Sequence, residues 1–487
     1  MTVSRRRAIL ATASAAWLAS SRTLRAQSPR THDVLVLGAG LAGLHAASLL
    51  TDQGLNVRIL EASARPGGRC RTAHQWDSRI ELGASQIGPR YARVLDTAQR
   101  LGIRLAPGAH INAPYAFVCG DSLIAAKDWS ASSANPLPDA ERAIAPHTLI
   151  SHFVEQRNPF NSPEQVYSSQ GRIFDIDLAS WLRRQDASEA AQHFINETLG
   201  RPGLHQISLL RMLQEATRLQ SDRRLSAGDD GAPQQDTYQR AGRTSIHVVG
   251  GTSVLTDAMA SALGDRLIYR QRAIAIDQTG PTVQVSCDNG HRWYAEHVIA
   301  ALPFTQLRKL ALTPALTHSA LESVTTMPYG NQSQVWLRTQ SAYWETDEIE
   351  ASMWTDGLFT LIRQQIEHDG SRELISALAF GPKSRALDAL TPEQRGQRAI
   401  EFIERIRPST RGKLEFIGAH SWELEPDIGG CSYQLQPGAG VDWVMAITQP
   451  VGRLHFAGEH TRRLEVGMEA AMESGERAAL EVLNTLG

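Results

Sequence analysis

Cysteine is scarce. The 487 residues hold four, Cys70, Cys119, Cys287 and Cys431, with no CxxC pair and no zinc spacing. They are too few for a disulfide scaffold. Neither sign of charge is in excess: 49 Lys plus Arg face 51 Asp plus Glu, a net charge of −2. No basic surplus exists to neutralise a nucleic-acid backbone, so no nucleic-acid partner is expected. Beyond the N-terminus no segment stays apolar long enough for a membrane span, which needs about 20 residues. Internal repeats and low-complexity blocks are missing. So are HExxH, P-loop and GxSxG patterns, and the 16 histidines are scattered without ligand spacing, so no metal is expected. What remains is ordinary globular composition, 42% apolar and 21% charged, in a chain long enough for two or three domains.

The N-terminus reads as an address. Ser4-Arg5-Arg6-Arg7 precedes a short apolar run from Ala8 to Ser20. A basic flank and a short apolar stretch are the parts of a signal peptide. The start resembles a twin-arginine export signal, with Ala8 where that signal usually has Phe. Residues 1–26 are therefore expected to be a signal, cleaved after Ser21 or Ala26, and the protein to work in the periplasm. The alternative is a plain basic terminus on a cytoplasmic protein.

A dinucleotide site follows. Asp33–Leu37 is a continuous apolar run suited to a buried parallel strand. It enters Gly38-Ala39-Gly40-Leu41-Ala42-Gly43, then a helical pattern to about Gln53, then a second strand, Asn56–Leu60, that ends at Glu61. Gly38 permits the tight turn, Gly40 lets a pyrophosphate approach, and Gly43 lets the helix pack on the sheet. The helix N-terminus offers N–H groups to the phosphates, and Glu61 can accept from ribose hydroxyls.

Ala62-Ser63-Ala64-Arg65-Pro66-Gly67-Gly68-Arg69 comes next. With Glu61 it resembles a stretch found in FAD-dependent amine oxidases. Later pieces follow in the same order. Glu81–Pro89, with Gly83, Ala84, Ser85 and Gln86, resembles the segment that passes the flavin ring. Gly250–Ser253, Val298–Pro303, Phe456–Thr461 and Glu473–Ala479 resemble four further elements. Together they span roughly residues 32–485, with spacing similar to the monoamine oxidases.

The resemblance implies an α/β protein: a discontinuous Rossmann-type FAD-binding domain from 32–110, 243–325 and 412–487, and an α+β substrate domain with a mixed sheet from 111–242 and 326–411. Residues 221–243 read as a long exposed loop. Ala273 would offer its backbone to the adenine; Gly458, Glu459 and Met468 would lie near the flavin. Trp422 and Cys431 match a pair in which the cysteine carries the flavin through a thioether; FAD bound there without a bond is the alternative. The resemblance also shows departures. Ser432 and Gly467 stand where two cage tyrosines are usual, with Tyr433 next to the first. Gln334 stands where a lysine is usual, which leaves the electron acceptor open between oxygen and another redox partner. The ring-side set is then Gln334, Trp422, Ser432 and Tyr433, with Trp336, Trp344 and Trp354 as further pocket candidates.

The implied reaction takes a hydride from the carbon beside a neutral amine nitrogen and leaves an imine that water hydrolyses. The same fold also hosts desaturases and isomerases. An L-amino acid oxidase is a nearer variant and needs a cation for the substrate carboxylate, for which Arg90 is the sequence candidate. A non-enzymatic FAD carrier is a third reading. Relatives of this kind often form homodimers.

Overall fold

The computed structural model describes residues 31–486, apart from 78, 89, 108–113, 201–202, 228–245, 368–369 and 439. The expected signal, residues 1–26, lies outside the described residues.

The first strand, β1 (Thr31–Leu37), runs parallel to Arg292–Ala300 on one side and to β2 (Val57–Leu60) on the other. Val34, Leu35 and Val36 have no exposed surface, as befits a strand covered on both faces. Between the two strands the chain forms helix α1 (Leu41–Asp52). Gly43 is required where α1 leaves the turn: a Cβ there would stand 2.0 Å from the Gly38 carbonyl oxygen. The sheet has eight strands; the others are Leu267–Ile268, Ala273–Asp277, Val283–Cys287, Ala311–Thr313 and Leu454–Phe456. The C-terminal helix Gly467–Leu486 lies across α1 so closely that a Cβ on Gly475 would fall 2.3 Å from the Ala42 carbonyl oxygen.

A second sheet has seven strands, in the order Leu414–Ser421, Gln332–Thr339, Leu374–Phe380, Leu361–Gln364, Ser352–Thr355, Tyr115–Cys119 and Ser122–Ile124. Its pairs are antiparallel except Ser352–Thr355 with Tyr115–Cys119, so the sheet is mixed. One face is closed by the helix Pro392–Ile406, whose Ala399, Phe402 and Ile403 pack against Val335, Ile362 and Ile375. The other face looks toward the Arg69–Gly83 region, because Trp336 and Trp422 share a core with Leu82.

Two expectations are corrected. The sequence puts residues from 412 onward in the FAD part, yet Leu414–Ser421 pairs with Gln332–Thr339 over its whole length and belongs to the second sheet. The expected loop 221–243 begins too early, since the helix Leu209–Ala227 runs on through Ala227. Arg223, Arg224 and Leu225 are good helix formers, and low apolar content alone does not end a helix.

Candidate active site

The dinucleotide turn is built as its glycines suggest. The Gly38 amide donates to the Leu60 carbonyl at 2.8 Å, which ties the turn to β2. No side chain caps α1 at Gly40, so its first amides are left for a ligand. Nothing lies within 4 Å of the place a Gly40 Cβ would occupy, which leaves open space beside that backbone. The Glu61 carboxylate is buried at the end of β2 and accepts from the amides of Ala39 (2.7 Å) and Ser63 (2.8 Å). A carboxylate has capacity for further donors such as hydroxyls. The Gln271 amide donates to the Glu61 carbonyl at 2.8 Å and the Arg270 amide to that of Ser63 at 3.1 Å. Those bonds bring the start of the strand at Ala273 toward Glu61, Ala62 and Ser63. Gly67 and Ala39 are joined by a 2.8 Å backbone bond, which seats Gly68 and Arg69 against the turn.

Arg69 links three regions that are distant in sequence. Its guanidinium donates to the Cys431 carbonyl at 2.6 Å and stands 3.7 Å from Glu459. The segment Leu82–Ala84 folds back on it, with the Ala84 amide donating to the Arg69 carbonyl at 3.2 Å. Two side chains converge on the Leu82 carbonyl: the Gln334 amide and the Trp422 indole, each at 2.8 Å. The Gln334 oxygen in turn accepts from Trp336 at 3.4 Å. The Cys431 thiol is half-buried and points to Gln332, at 3.4 Å. Ser85 is half-buried and Gln86 exposed.

Ser432 and Tyr433 form a short strand against Tyr329–Gly330. Ser432 is half-buried, whereas the Tyr433 ring is enclosed. The Arg211 and Arg462 guanidiniums lie 5.0 and 5.1 Å from its centre. Arg211 also donates to the Tyr433 carbonyl at 2.6 Å. Around it lie Arg462–Glu459 (3.2 Å), Arg462–Glu215 (3.4 Å), Arg211–Glu215 (2.9 Å) and Arg218–Glu465 (2.5 Å). Met468 is buried at the start of the C-terminal helix, one residue after the helix begins. Gly467 has a φ of +59°, and a Cβ there would come 2.8 Å from the Tyr91 hydroxyl. Tyr91 therefore occupies the space beside Gly467.

Residues 41–483 match the profile of the family described as flavin containing amine oxidoreductase. The chain belongs to that family. FAD is its cofactor, and it is an FAD-dependent oxidoreductase. Among curated relatives, flavin-containing amine oxidase B of Sus scrofa is 27% identical over 472 residues, covering 93% of this chain and 86% of the relative. The flavin-containing amine oxidase of Danio rerio is 28% identical over 468 residues, with 94% and 86% covered. Among solved structures, putrescine oxidase bound to putrescine superimposes with a TM-score of 0.73 at 18% identity, covering 93% of this chain and 99% of that one. Cyclohexylamine oxidase from Brevibacterium oxydans gives 0.74 at 20% identity, with 94% and 100% covered. These two likenesses establish the shared fold.

The residues present fit the family's cofactor. The uncapped α1 terminus, the open space at Gly40 and the buried Glu61 carboxylate form a cradle for a dinucleotide. Glu459 Oε2 is buried without a hydrogen-bond partner among the described residues. When bound, FAD supplies acceptance of two electrons and a proton.

Sequence reasoning missed several of these residues. Glu81 accepts from the Thr252 amide and hydroxyl, both at 2.7 Å, and so caps the helix Thr252–Leu263. Burial raises its proton affinity. Only a carboxylate just before the Gly83 segment signals it. The arginines around Tyr433 were missed because their convergence on it joins distant segments: Arg462 reaches Glu215 and Arg218 reaches Glu465, and the short-range pairs Arg462–Glu459 and Arg211–Glu215 do not by themselves point to Tyr433. The tryptophans separate. Trp336 lies on the site side and Trp354 is buried, bonded to Thr198 at 3.0 Å, whereas Trp344 packs in the core beneath the opposite face. Arg90, the sequence candidate for a substrate carboxylate, faces Glu465 at 3.7 Å and is already compensated.

Proposed function

We propose that the chain oxidises the C–N bond of a small amine to an imine, which hydrolyses to an aldehyde or ketone, with electrons passed to oxygen or another acceptor. The observation that carries this is the double anchoring of the Leu82 carbonyl by Gln334 and Trp422. It fixes the inner face of the second sheet to the segment that adjoins Arg69, so a substrate held against that face meets the cofactor in one geometry. The residues' part is placement and exclusion of water. Gln334 supplies polarity without charge, and both ends of its amide are engaged by protein. Ser432 and Gly467 put little side-chain bulk at the two cage positions, and the Tyr91 hydroxyl stands beside Gly467. The chain's relatives and structural neighbours, an amine oxidase, a putrescine oxidase and a cyclohexylamine oxidase, support an amine substrate.

The test is anaerobic. The purified yellow protein is mixed with amines, diamines and amino acids. Bleaching of the oxidised-flavin band by one class establishes amine oxidation, and fast recovery in air marks an oxidase rather than a dehydrogenase. Bleaching by dithionite but by no amine refutes the reading. Acid precipitation settles the link to Cys431: a yellow pellet that becomes colourless in Cys431→Ser identifies a thioether, and a colourless wild-type pellet identifies non-covalent FAD.

Export to the periplasm by a twin-arginine signal and assembly as a homodimer are part of the same proposal. The first is supported by Arg5–Arg7 and the apolar run behind them. Fractionation of expressing cells and light scattering test the two.

A further inference from the structure

One cation on the inner face of the second sheet has no counter-charge among the described residues. Trp336, Ser376 and Arg363 are direct cross-strand partners, so their side chains leave the sheet on one side. Gln334, two residues before Trp336 on the same strand, points to that side as well. The alternate residues, Val335, Ile362 and Ile375, face the helix Pro392–Ile406. Arg363 is half-buried, and its Nε is buried without a partner. It makes no hydrogen bond or ion pair with any described residue. The other sheet arginine, Arg338, is paired with Asp77 and Glu373.

The neighbourhood is polar and formed by separate elements. His147, from the turn Pro146–Thr148, packs at a tilt against Tyr115, ring centres 4.9 Å apart, and its Nδ1 is buried without a partner among the described residues. Tyr115 pairs with Ser352 on the strand next to that of Arg363. Burial, and then the charge of Arg363, hold the His147 proton affinity down, so the ring is neutral and offers one donor. The Arg363 guanidinium has its Nε withdrawn from water, which is costly unless an anion meets it, while its terminal nitrogens stay open to an incoming ligand. Its planar fork matches a carboxylate in two parallel bonds.

Resting on the amine-oxidation reading, we propose that Arg363 is a specificity-determining residue that receives a carboxylate on the substrate, so that the preferred substrate class is an amine bearing an acid group. The strand of Arg363 is two positions from that of Gln334, roughly 10 Å across the sheet at the usual strand spacing. That span suits an ω-amino acid, with its nitrogen toward Gln334 and its carboxylate on Arg363, better than an α-amino acid.

The test compares ω-aminoalkanoates with n-alkylamines of equal chain length on the holoenzyme, in wild type, Arg363→Gln and Arg363→Lys. Wild type favours the acid-bearing amine. In Arg363→Gln the ratio of kcat/KM for acidic over neutral substrate falls roughly 10- to 100-fold, mainly through KM, and Arg363→Lys recovers part of it. Plain alkanoates perturb the flavin spectrum of wild type and lose that effect in Arg363→Gln. A wild-type preference for the neutral amine, or a ratio unchanged in Arg363→Gln, overturns the proposal while leaving amine oxidation standing. If no amine of either kind bleaches the flavin, amine oxidation itself falls. Alkanoate titration then decides the anion site alone: dependence on Arg363 upholds it, and its absence ends it.

Discussion

Loss of Arg462 should destabilise the fold markedly. Its side chain is 2% exposed, and it stands 3.2 Å from Glu459 and 3.4 Å from Glu215. At an effective dielectric of about 20, a charge pair at such a distance is worth about 5 kcal/mol in raw Coulomb energy. Drying the charges offsets much of that, so the intact cluster adds little net stability. Breaking it is different. In Arg462→Met, Glu215 keeps Arg211 at 2.9 Å and is 37% exposed, but Glu459 is only 12% exposed and is left with the weaker contact to Arg69 at 3.7 Å. The contact of the guanidinium with Tyr433 is lost too, at about 1 kcal/mol. The expected loss is about 3–5 kcal/mol. Urea unfolding of the FAD-loaded protein, followed by circular dichroism and flavin release, measures it. Adding Glu459→Gln should recover about 1 kcal/mol, because the buried carboxylate that Arg69 compensates only in part is then gone. A loss under about 1 kcal/mol, or no recovery in the double variant, would show that solvent reaches the cluster and refute the reasoning.

Three further outcomes are expected. Gly43→Val should abolish FAD retention, since even a Cβ would stand 2.0 Å from the Gly38 carbonyl oxygen; a yellow variant with normal flavin content counters this. Trp422→Phe removes one of two donors to the Leu82 carbonyl while Gln334 keeps the other, so a loss of about 1–2 kcal/mol in stability with a lowered kcat/KM is expected; an unchanged kcat/KM would deny that the anchor positions the site. His45 is buried with both ring nitrogens unpartnered, and burial lowers its pKa to about 4. The unfolded chain takes up that proton near pH 6.5, the folded chain only near 4. Its share of stability is thus complete above 6.5 and lost as pH falls toward 4, by up to ~3 kcal/mol. Urea midpoints measured between pH 7 and 4.5 should fall less steeply in His45→Gln, and equal slopes would contradict the assignment.

The dinucleotide turn was legible because its determinants are local. Apolar strand, glycines at fixed offsets, helix and Glu61 occupy one short stretch, and β1, α1 and β2 fall within one or two residues of the reading. Trp422, Cys431 and Gln334 were named through resemblance; in the structure Trp422 and Gln334 meet at the Leu82 carbonyl, and Cys431 lies against Gln332 and Arg69. The strand Leu414–Ser421 was misplaced because sheet membership depends on its register with Gln332–Thr339, which no pattern within 414–421 encodes. The arginines around Tyr433 and the lone Arg363 were invisible for a related reason. An arginine looks alike in sequence whether a carboxylate meets it or not, and only the assembled strands and helices decide.

The contact between the C-terminal helix and α1 has a consequence for how the protein is made. The turn that begins the cofactor cradle leaves the ribosome long before the helix that closes over α1 at Gly475. Strand Leu454–Phe456, which completes the first sheet beside Val298–Ala300, is nearly as late. A nascent chain halted before residue 454 therefore lacks both a sheet strand and the cover of its own cradle. The full cradle is therefore expected only once residues 454–486 have left the ribosome, and flavin retention by chains truncated before 454 would measure that dependence.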